Sequence, residues 1–348
     1  MPQNDNDNVN NKVKEITDRL EQGIGELFES QQYKDYLTTM SKFHSYSFNN
    51  IVLIFSQKPN ASLIAGYNAW KTEHQRQVVK GAKAIKILAP APYKVKVQRN
   101  KVDPNTRKTI LDENGDPVKE TVEVQKPYFK VVNVFDVSDT EGKEIPSIGI
   151  GELSGNVEKY DEFFEVLKKI CPIPIEFEHI NTGAKGYYSN ADNKIVINKG
   201  MAQMQNIKTA IHEMSHHYLH SRDTPNFSED KTRNSKEVEA ESVAYTVCQH
   251  YGIDTSDYSF AYIATWSKDK EMPELKASLD IIRKTSSDFI KKIDGHMQEL
   301  YKEKSAVYEN NHTEEKTSVI GKLHSNQEKL IEGEQKQSKI SERKQERV

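Results

Sequence analysis

Thr209-Ala210-Ile211-His212-Glu213-Met214-Ser215-His216-His217-Tyr218 decides how the chain is read. His212 and His216 are four residues apart, with Glu213 directly after the first. On a helix that spacing puts both imidazoles on one face, one turn apart. Two such rings can share one Zn²⁺, and the adjacent carboxylate can take a proton from water activated by the ion. Ile207, Ile211, Met214 and Tyr218 recur at helical spacing and form an apolar stripe. His212 and His216 fall opposite that stripe, so they are expected to face a cleft or a second helix.

A third ligand is then required. Six residues beyond His216, where some zinc sites place another histidine, stands Arg222, which cannot bind the ion. The next acidic segment is Ser235-Lys-Glu-Val-Glu-Ala-Glu-Ser-Val-Ala-Tyr-Thr-Val-Cys248. On a helix, Glu237, Glu241, Ala244 and Cys248 share a face, whereas Glu239 points about 160° away. Glu237 is therefore the expected third ligand. Glu241, one turn on, is expected to accept the second N–H of a ligand histidine and hold its ring. Glu213 is the expected general base. Tyr187, Tyr188 and His217 are the candidates for stabilising the transition state.

This helix pair resembles the gluzincin arrangement, and the ImmA/IrrE-type metallopeptidases in particular. That family usually carries Asn where this chain has Glu241. The resemblance implies a zinc-dependent peptidase with Zn²⁺ as cofactor and a protein or peptide substrate.

At 348 residues, with a net charge of −3, the chain has room for two cores. Charged residues make up 29 % and hydrophobic ones 35 %, so some segments are expected to stay unpacked. Cys171 and Cys248 lie far apart in apolar contexts and are expected as buried thiols in a reducing compartment. The polar start, Met1-Pro-Gln-Asn-Asp-Asn-Asp-Asn, is not a secretory leader. The longest apolar run, Ile51 to Phe55, is too short to span a bilayer. A soluble cytoplasmic protein without a membrane partner is expected.

The pattern predicts an α+β chain. Residues 1–11 and the polar tail 304–348 are expected to be disordered, the tail with residual helix. A first domain over 12–140 begins with helices from Lys12, over Gln31 to Phe43, after Ser47 and over Tyr67 to His74. Ser47, Asn49 and Asn50 are the candidate caps of the third. Strands are predicted at 84–89 and 93–97, an exposed arm at 99–126 turning at Asn114-Gly115, and a buried strand at 128–135. A linker is expected over 141–156. The second domain, 157–303, is expected to pack a small sheet on the metal-site helix. Its strands are 173–177, 186–188 and 194–198, and its helices 157–170, 236–251, 257–267 and 273–302. The strand just before the metal-site helix is expected to offer an open edge to an extended peptide.

Between Lys71 and Lys101, nine cations face one anion, Glu73. Lys80, Lys83, Lys86, Lys94 and Lys96 could follow a phosphate backbone, with Tyr67 and Trp70 among the interleaved aromatics available to stack unpaired bases. Lys86, Lys94 and Lys96 are expected to form one stripe on a sheet face. The bland alternative is a solvated strand face with lysines guarding an edge.

Met40-Ser-Lys-Phe-His-Ser-Tyr-Ser-Phe-Asn-Asn50, Gln57-Lys-Pro, Ala65-Gly-Tyr-Asn-Ala-Trp70 and Val79-Lys-Gly-Ala-Lys-Ala-Ile-Lys-Ile-Leu-Ala-Pro90 resemble the N-terminal domain of ArdC/LtrC-like proteins. These are encoded on plasmids and other conjugative elements. The resemblance covers roughly residues 12–255. It implies an N-terminal domain that binds single-stranded DNA, a C-terminal zincin-like peptidase, and an antirestriction role. Two other readings fit the same residues: a non-catalytic DNA-binding protein with a structural metal, and an ImmA-like regulatory protease that cleaves a repressor.

Overall fold

The computed structural model describes residues 15–145 and 157–304, apart from isolated positions. The expectations for residues 1–11, for most of the 141–156 linker and for nearly all of the tail lie outside the described residues. The chain divides into a compact unit of residues 1–290 and a second of residues 291–348. Of the second unit, residues 291–304 are described and helical.

The first unit is α+β. Helical positions over 15–26 (α1) lead into α2 (Ser30–Lys42) and α3 (Phe48–Gln57). Strand β1 (Ile64–Gly66), helix α4 (Tyr67–Thr72) and strands β2 (Arg76–Val78), β3 (Ile85–Pro90), β4 (Tyr93–Asn100), β5 (Lys119–Lys126), β6 (Phe129–Asp136) and β7 (Thr140–Gly142) follow. Then come α5 (Val157–Ile170), β8 (Ile175–Glu178), β9 (Gly186–Ser189), β10 (Lys194–Asn198), α6 (Gln203–His220), α7 (Arg233–His250), α8 (Ile263–Lys268) and helical residues 272–290 (α9).

β6 lies between β1 and β3 in an antiparallel sheet. The far edge of β3 is closed by side chains. Asn50 Nδ2–H donates to the Leu88 carbonyl and the Leu88 N–H donates to Asn50 Oδ1, both at 2.9 Å. Gln57 does the same for Lys86, at 2.9 and 3.0 Å. The two amides are seven residues apart, two turns of one helix face. They stand in for a missing neighbour strand. Ser47 caps α3 as expected, accepting from the Asn50 N–H. Asn50 itself is no cap, because its side chain is committed to β3.

β4 and β5 form a separate two-stranded arm with Val95 opposite Val124 and Val97 opposite Val122. Beyond them the arm continues through bridges 102–109 and 111–117 to a turn with Gly115 at φ 84°. The strand expected to be buried at 128–135 is buried only toward its end. Val134 and Asp136 are covered, while Phe129 is 52 % exposed. Its first residues pair with the end of β3, at the base of the arm.

In the second half, β10 is central, parallel to β8 and antiparallel to β9. Asn193 takes φ 50° in the tight β9–β10 turn. The helix predicted over 257–267 is shorter, Ile263–Lys268. Asp254 accepts from the Ser256 N–H, and Tyr258 N–H donates to Thr255, so local turns occupy the start of that range.

The segments expected as two domains share this unit. α2 lies on α7, with Tyr33 OH 2.8 Å from Ser242 Oγ and Thr38 Oγ1 2.9 Å from Tyr245 OH. Cys171 and Cys248 are free and buried, and burial pushes the Cys248 thiol up to about 12. No helix among the described residues is long and apolar enough to cross a membrane.

Asp136 ties the first half together. Its carboxylate accepts from the N–H groups of Ser62 (2.7 Å), Leu63 (3.2 Å) and Ser138 (3.0 Å). Burial alone would raise its pKa, but the Ser138 hydroxyl and these backbone donors hold it below the usual carboxylate range. The depressed pKa means that the stabilisation is complete above the unfolded value, near pH 4, and is lost as pH falls through the folded value. Asp136→Ala should lower unfolding free energy by about 1–3 kcal/mol in urea titrations at pH 7. The gap to wild type should narrow below pH 4.

Candidate metal centre

α6 presents its apolar stripe inward. Ile207, Ile211 and Met214 are fully buried, and Tyr218 OH donates to the Ile170 carbonyl at 3.3 Å. The opposite face carries His212 and His216, whose side chains are 25 % and 16 % exposed in a cleft. α7 crosses beside it, its first turn capped by Thr232, which accepts from the Ser235 N–H. That crossing brings Glu237 to the two rings.

The two Nε2 atoms are 3.1 Å apart, and Glu237 Oε2 lies 3.6 Å from that of His212 and 3.4 Å from that of His216. His212, His216 and Glu237 are the one such donor cluster among the described residues. Donors about 2.05 Å from a tetrahedral ion stand roughly 3.3 Å apart, so this triangle fits zinc-type coordination. The His₂Glu set with an open fourth position suits a Lewis-acid ion.

Hydrogen bonds from both histidines hold the Glu237 carboxyl far below its usual range. Burial alone would depress His212, but Glu237, with Glu213 and Glu241, outweighs it and the ring's pKa is raised. Glu213 is 7 % exposed and lines the same cleft. Burial raises its pKa against the opposing pull of His212 and His216, and it accepts the Tyr188 backbone N–H.

The edge strand beside this helix is β9. The strand immediately preceding α6, β10, is paired on both sides, so the open edge expected there belongs to its neighbour. Gly186 lets β9 approach. A Cβ built there would lie 2.5 Å from Thr209 Cγ2 and 2.8 Å from the Val196 carbonyl oxygen. Tyr187 is 41 % exposed and lines the cleft with Tyr188. Tyr188 OH donates to Asn190 at 2.9 Å, and its ring lies against His217. His217 is buried, and burial depresses its pKa.

Glu241 lines a neighbouring cavity of about 330 Å³ with His212, Lys208 and Asp257. It acts on His212 through its charge. Glu239 does point away from the ligands, but into the protein. It is 1 % exposed and accepts from Lys231 Nζ (2.7 Å), Ser278 Oγ (2.7 Å) and His220 Nε2 (3.2 Å). Burial, then the charges of His216, Lys231 and Lys236, push the His220 pKa down to about 3, so the ring is neutral and donates. Its ring lies 5.4 Å from that of His216. The sequence offered a hint of this: His220 is one turn beyond His216, on the same face.

The basic segment is arranged differently from its expectation. Lys86 sits on β3, whereas Lys94 and Lys96 sit on the separate arm, so the single stripe does not form. Lys94 pairs with Glu123 at 3.6 Å and Lys86 with Glu15 at 3.7 Å. Lys80 and Lys83 are exposed in the β2–β3 connection. Tyr67 is 52 % exposed. Trp70 cannot stack a base: it is fully buried and its Nε1–H donates to the Phe135 carbonyl at 2.9 Å. The exposed aromatics gather instead at the base of the arm. Tyr93 and Tyr128 have ring centroids 6.0 Å apart, Phe129 follows, and Lys94, Lys126 and Lys130 are exposed around them.

Residues 6–135 match the family described as the N-terminal domain of anti-restriction factor ArdC. An uncharacterized protein of Bacillus anthracis is 31 % identical in an alignment 355 positions long that covers 93 % of this chain. The chain spans 59 % of that relative's length. Two crystal structures of the antirestriction protein ArdC from plasmid R388 are also similar, each over 72 % of this chain at 18 % identity and a TM-score of 0.43. The metal-free one is covered to 85 % and the Mn(II)-bound one to 84 %. The matched segment ends at β6, before the residues of the metal cluster begin.

Gly186→Ala should force β9 away from both α6 and β10, because the Val196 backbone cannot yield as a flexible side chain would. A loss of about 1–3 kcal/mol in unfolding free energy is expected from thermal or urea melts. Gly66→Ala, at φ −66° and with no neighbour within 4 Å of the added carbon, provides the comparison for a change without a clash.

Proposed function

We propose that this chain is an ArdC-like antirestriction protein that joins a zinc-dependent peptidase of gluzincin type to a single-stranded DNA-binding surface. The observation that carries the peptidase half is the donor triangle of His212, His216 and Glu237 beside the buried Glu213. An ion held by those three residues would lower the pKa of a water in its open position and polarise a substrate carbonyl.

The chain's own residues supply the rest. Glu213 has its proton affinity raised by burial, which suits a carboxylate that takes a proton from water and returns it to a leaving amine. The Tyr188 N–H fixes one side of that carboxylate. An extended peptide can lie along the outer edge of β9, where Tyr187 borders the cleft. Tyr187 is better placed to meet an oxyanion than His217, which is buried behind Tyr188.

Purified protein should bind about one zinc per chain, read by metal analysis after dialysis. Glu237→Ala and His216→Ala should each lose it, while Glu213→Gln should keep it and lose proteolysis of cellular extract by at least about a hundredfold. Protein without bound zinc, or proteolysis that persists in Glu213→Gln, would remove the peptidase reading.

The DNA half rests on the exposed aromatics Tyr93, Tyr128 and Phe129 among lysines. Aromatic faces stack unpaired bases at about 1–3 kcal/mol each. Tyr93→Ala with Phe129→Ala should therefore weaken binding of an unpaired oligonucleotide by at least about tenfold in anisotropy titrations. Lys80→Gln with Lys83→Gln should mainly reduce the salt dependence. Unchanged affinity in the aromatic pair would rule out this surface.

A further inference from the structure

The metal cleft has a second, charged wall. A cavity of about 800 Å³ extends from His212, Glu213 and Glu237 to Arg222, Arg233 and Lys236. Arg222 follows the end of α6, and the other two belong to the first turn of α7. The further carboxylate on this wall is Glu229.

Among the described residues none of these three cations makes an ion pair, whereas Lys231, in the same connection, is neutralised by Glu239 at 2.7 Å. Arg233 and Lys236 also stand at the positive end of the α7 dipole, where cations are disfavoured, with no acidic residue in that turn. Three unneutralised cations from two elements converge on one recess, and an anionic ligand is the complement of that charge. The recess is continuous with the metal cluster and is bordered by the β9 edge, so its occupant must reach both. An extended polypeptide fits that requirement.

We infer that Arg222, Arg233 and Lys236 select an acidic peptide, binding Asp or Glu side chains next to the bond held at the metal cluster. The inference rests on the peptidase reading for the identity of the ligand as substrate.

The test uses the full chain carrying Glu213→Gln and supplied with zinc, titrated into three fluorescein-labelled peptides. These alternate glycine with glutamate, glutamine or lysine. Weak, exposed charge pairs predict that the glutamate peptide binds about tenfold more tightly than the glutamine one. The lysine peptide should bind more weakly than either. Arg233→Glu with Lys236→Glu should abolish or invert the order, and Arg233→Lys should retain it. Circular dichroism establishes that each variant is folded. Equal affinity for the three peptides, or a preference that survives the double reversal, would overturn the inference. So would an unpaired oligonucleotide that binds more tightly than the glutamate peptide and is lost in the same variants. Zinc content and proteolysis of wild type are measured alongside. Proteolysis without acidic preference sinks this inference and leaves the peptidase. Acidic preference without proteolysis keeps the recognition wall and sinks the peptidase.

Discussion

The site depends on α7 being held between α6 on one side and α2 on the other. α7 carries Val238, Ala240, Val243, Ala244, Val247 and Cys248 buried around most of its circumference, the pattern of a helix inside a core. Its outer contacts come from the N-terminal half: Tyr33 to Ser242, Thr38 to Tyr245, and His250 Nδ1 to the Ser41 carbonyl at 2.8 Å. Glu237 sits near the beginning of this helix, so its distance to His212 and His216 is set by how α7 is clamped. The third donor of the cluster is thus positioned by residues that precede it by about two hundred positions.

Glu239 adds a second restraint to the same turn. A buried carboxylate is costly unless its lone pairs are met. Here Lys231, Ser278 and neutral His220 meet them. The three partners come from the connection before α7, from α9 and from the end of α6. One charged group therefore ties both metal-site helices to a third helix. The adjacent glutamates have opposite tasks: Glu237 faces the cleft and Glu239 fastens the helix that presents it.

Much of this was legible in the sequence because local periodicity determines it. The four-residue spacing put His212 and His216 on one face, and counting along the next helix separated Glu237 from Glu239. Short alternating runs located β3 and β4, and a short apolar run located β10. Tertiary choices were not legible. Asn50 reads as a helix cap, yet it and Gln57 close a sheet edge 38 and 29 residues away in sequence. The apolar run at 128–135 has the composition of a buried strand, but Phe129 extends past the covering helices and ends on the surface. Trp70 and Tyr67 are three residues apart on one short helix; burial of one and exposure of the other follow from packing against β6, which spacing does not encode. Lys86 and Lys94 alternate in phase, but Pro90-Ala91-Pro92 redirects the chain into a separate arm.

The arm and the cleft lie in one compact unit, and a continuous chain of contacts runs between them. The arm grows from the ends of β3 and β6. β3 is fastened to α3 by the amides of Asn50 and Gln57, α3 packs on α2, and α2 clamps α7. Contiguity alone does not transmit a signal; that needs an element with two arrangements that both sites bias. The amide pairs make β3 a poor candidate, since sliding it against α3 would break four hydrogen bonds together. The α2–α7 interface is a better one. Tyr33, Thr38 and His250 bridge it through single hydroxyl or imidazole contacts, and small shifts of packed helices can exchange such contacts at low cost. A change passed through this interface would register as a displacement of Glu237 from the two histidines.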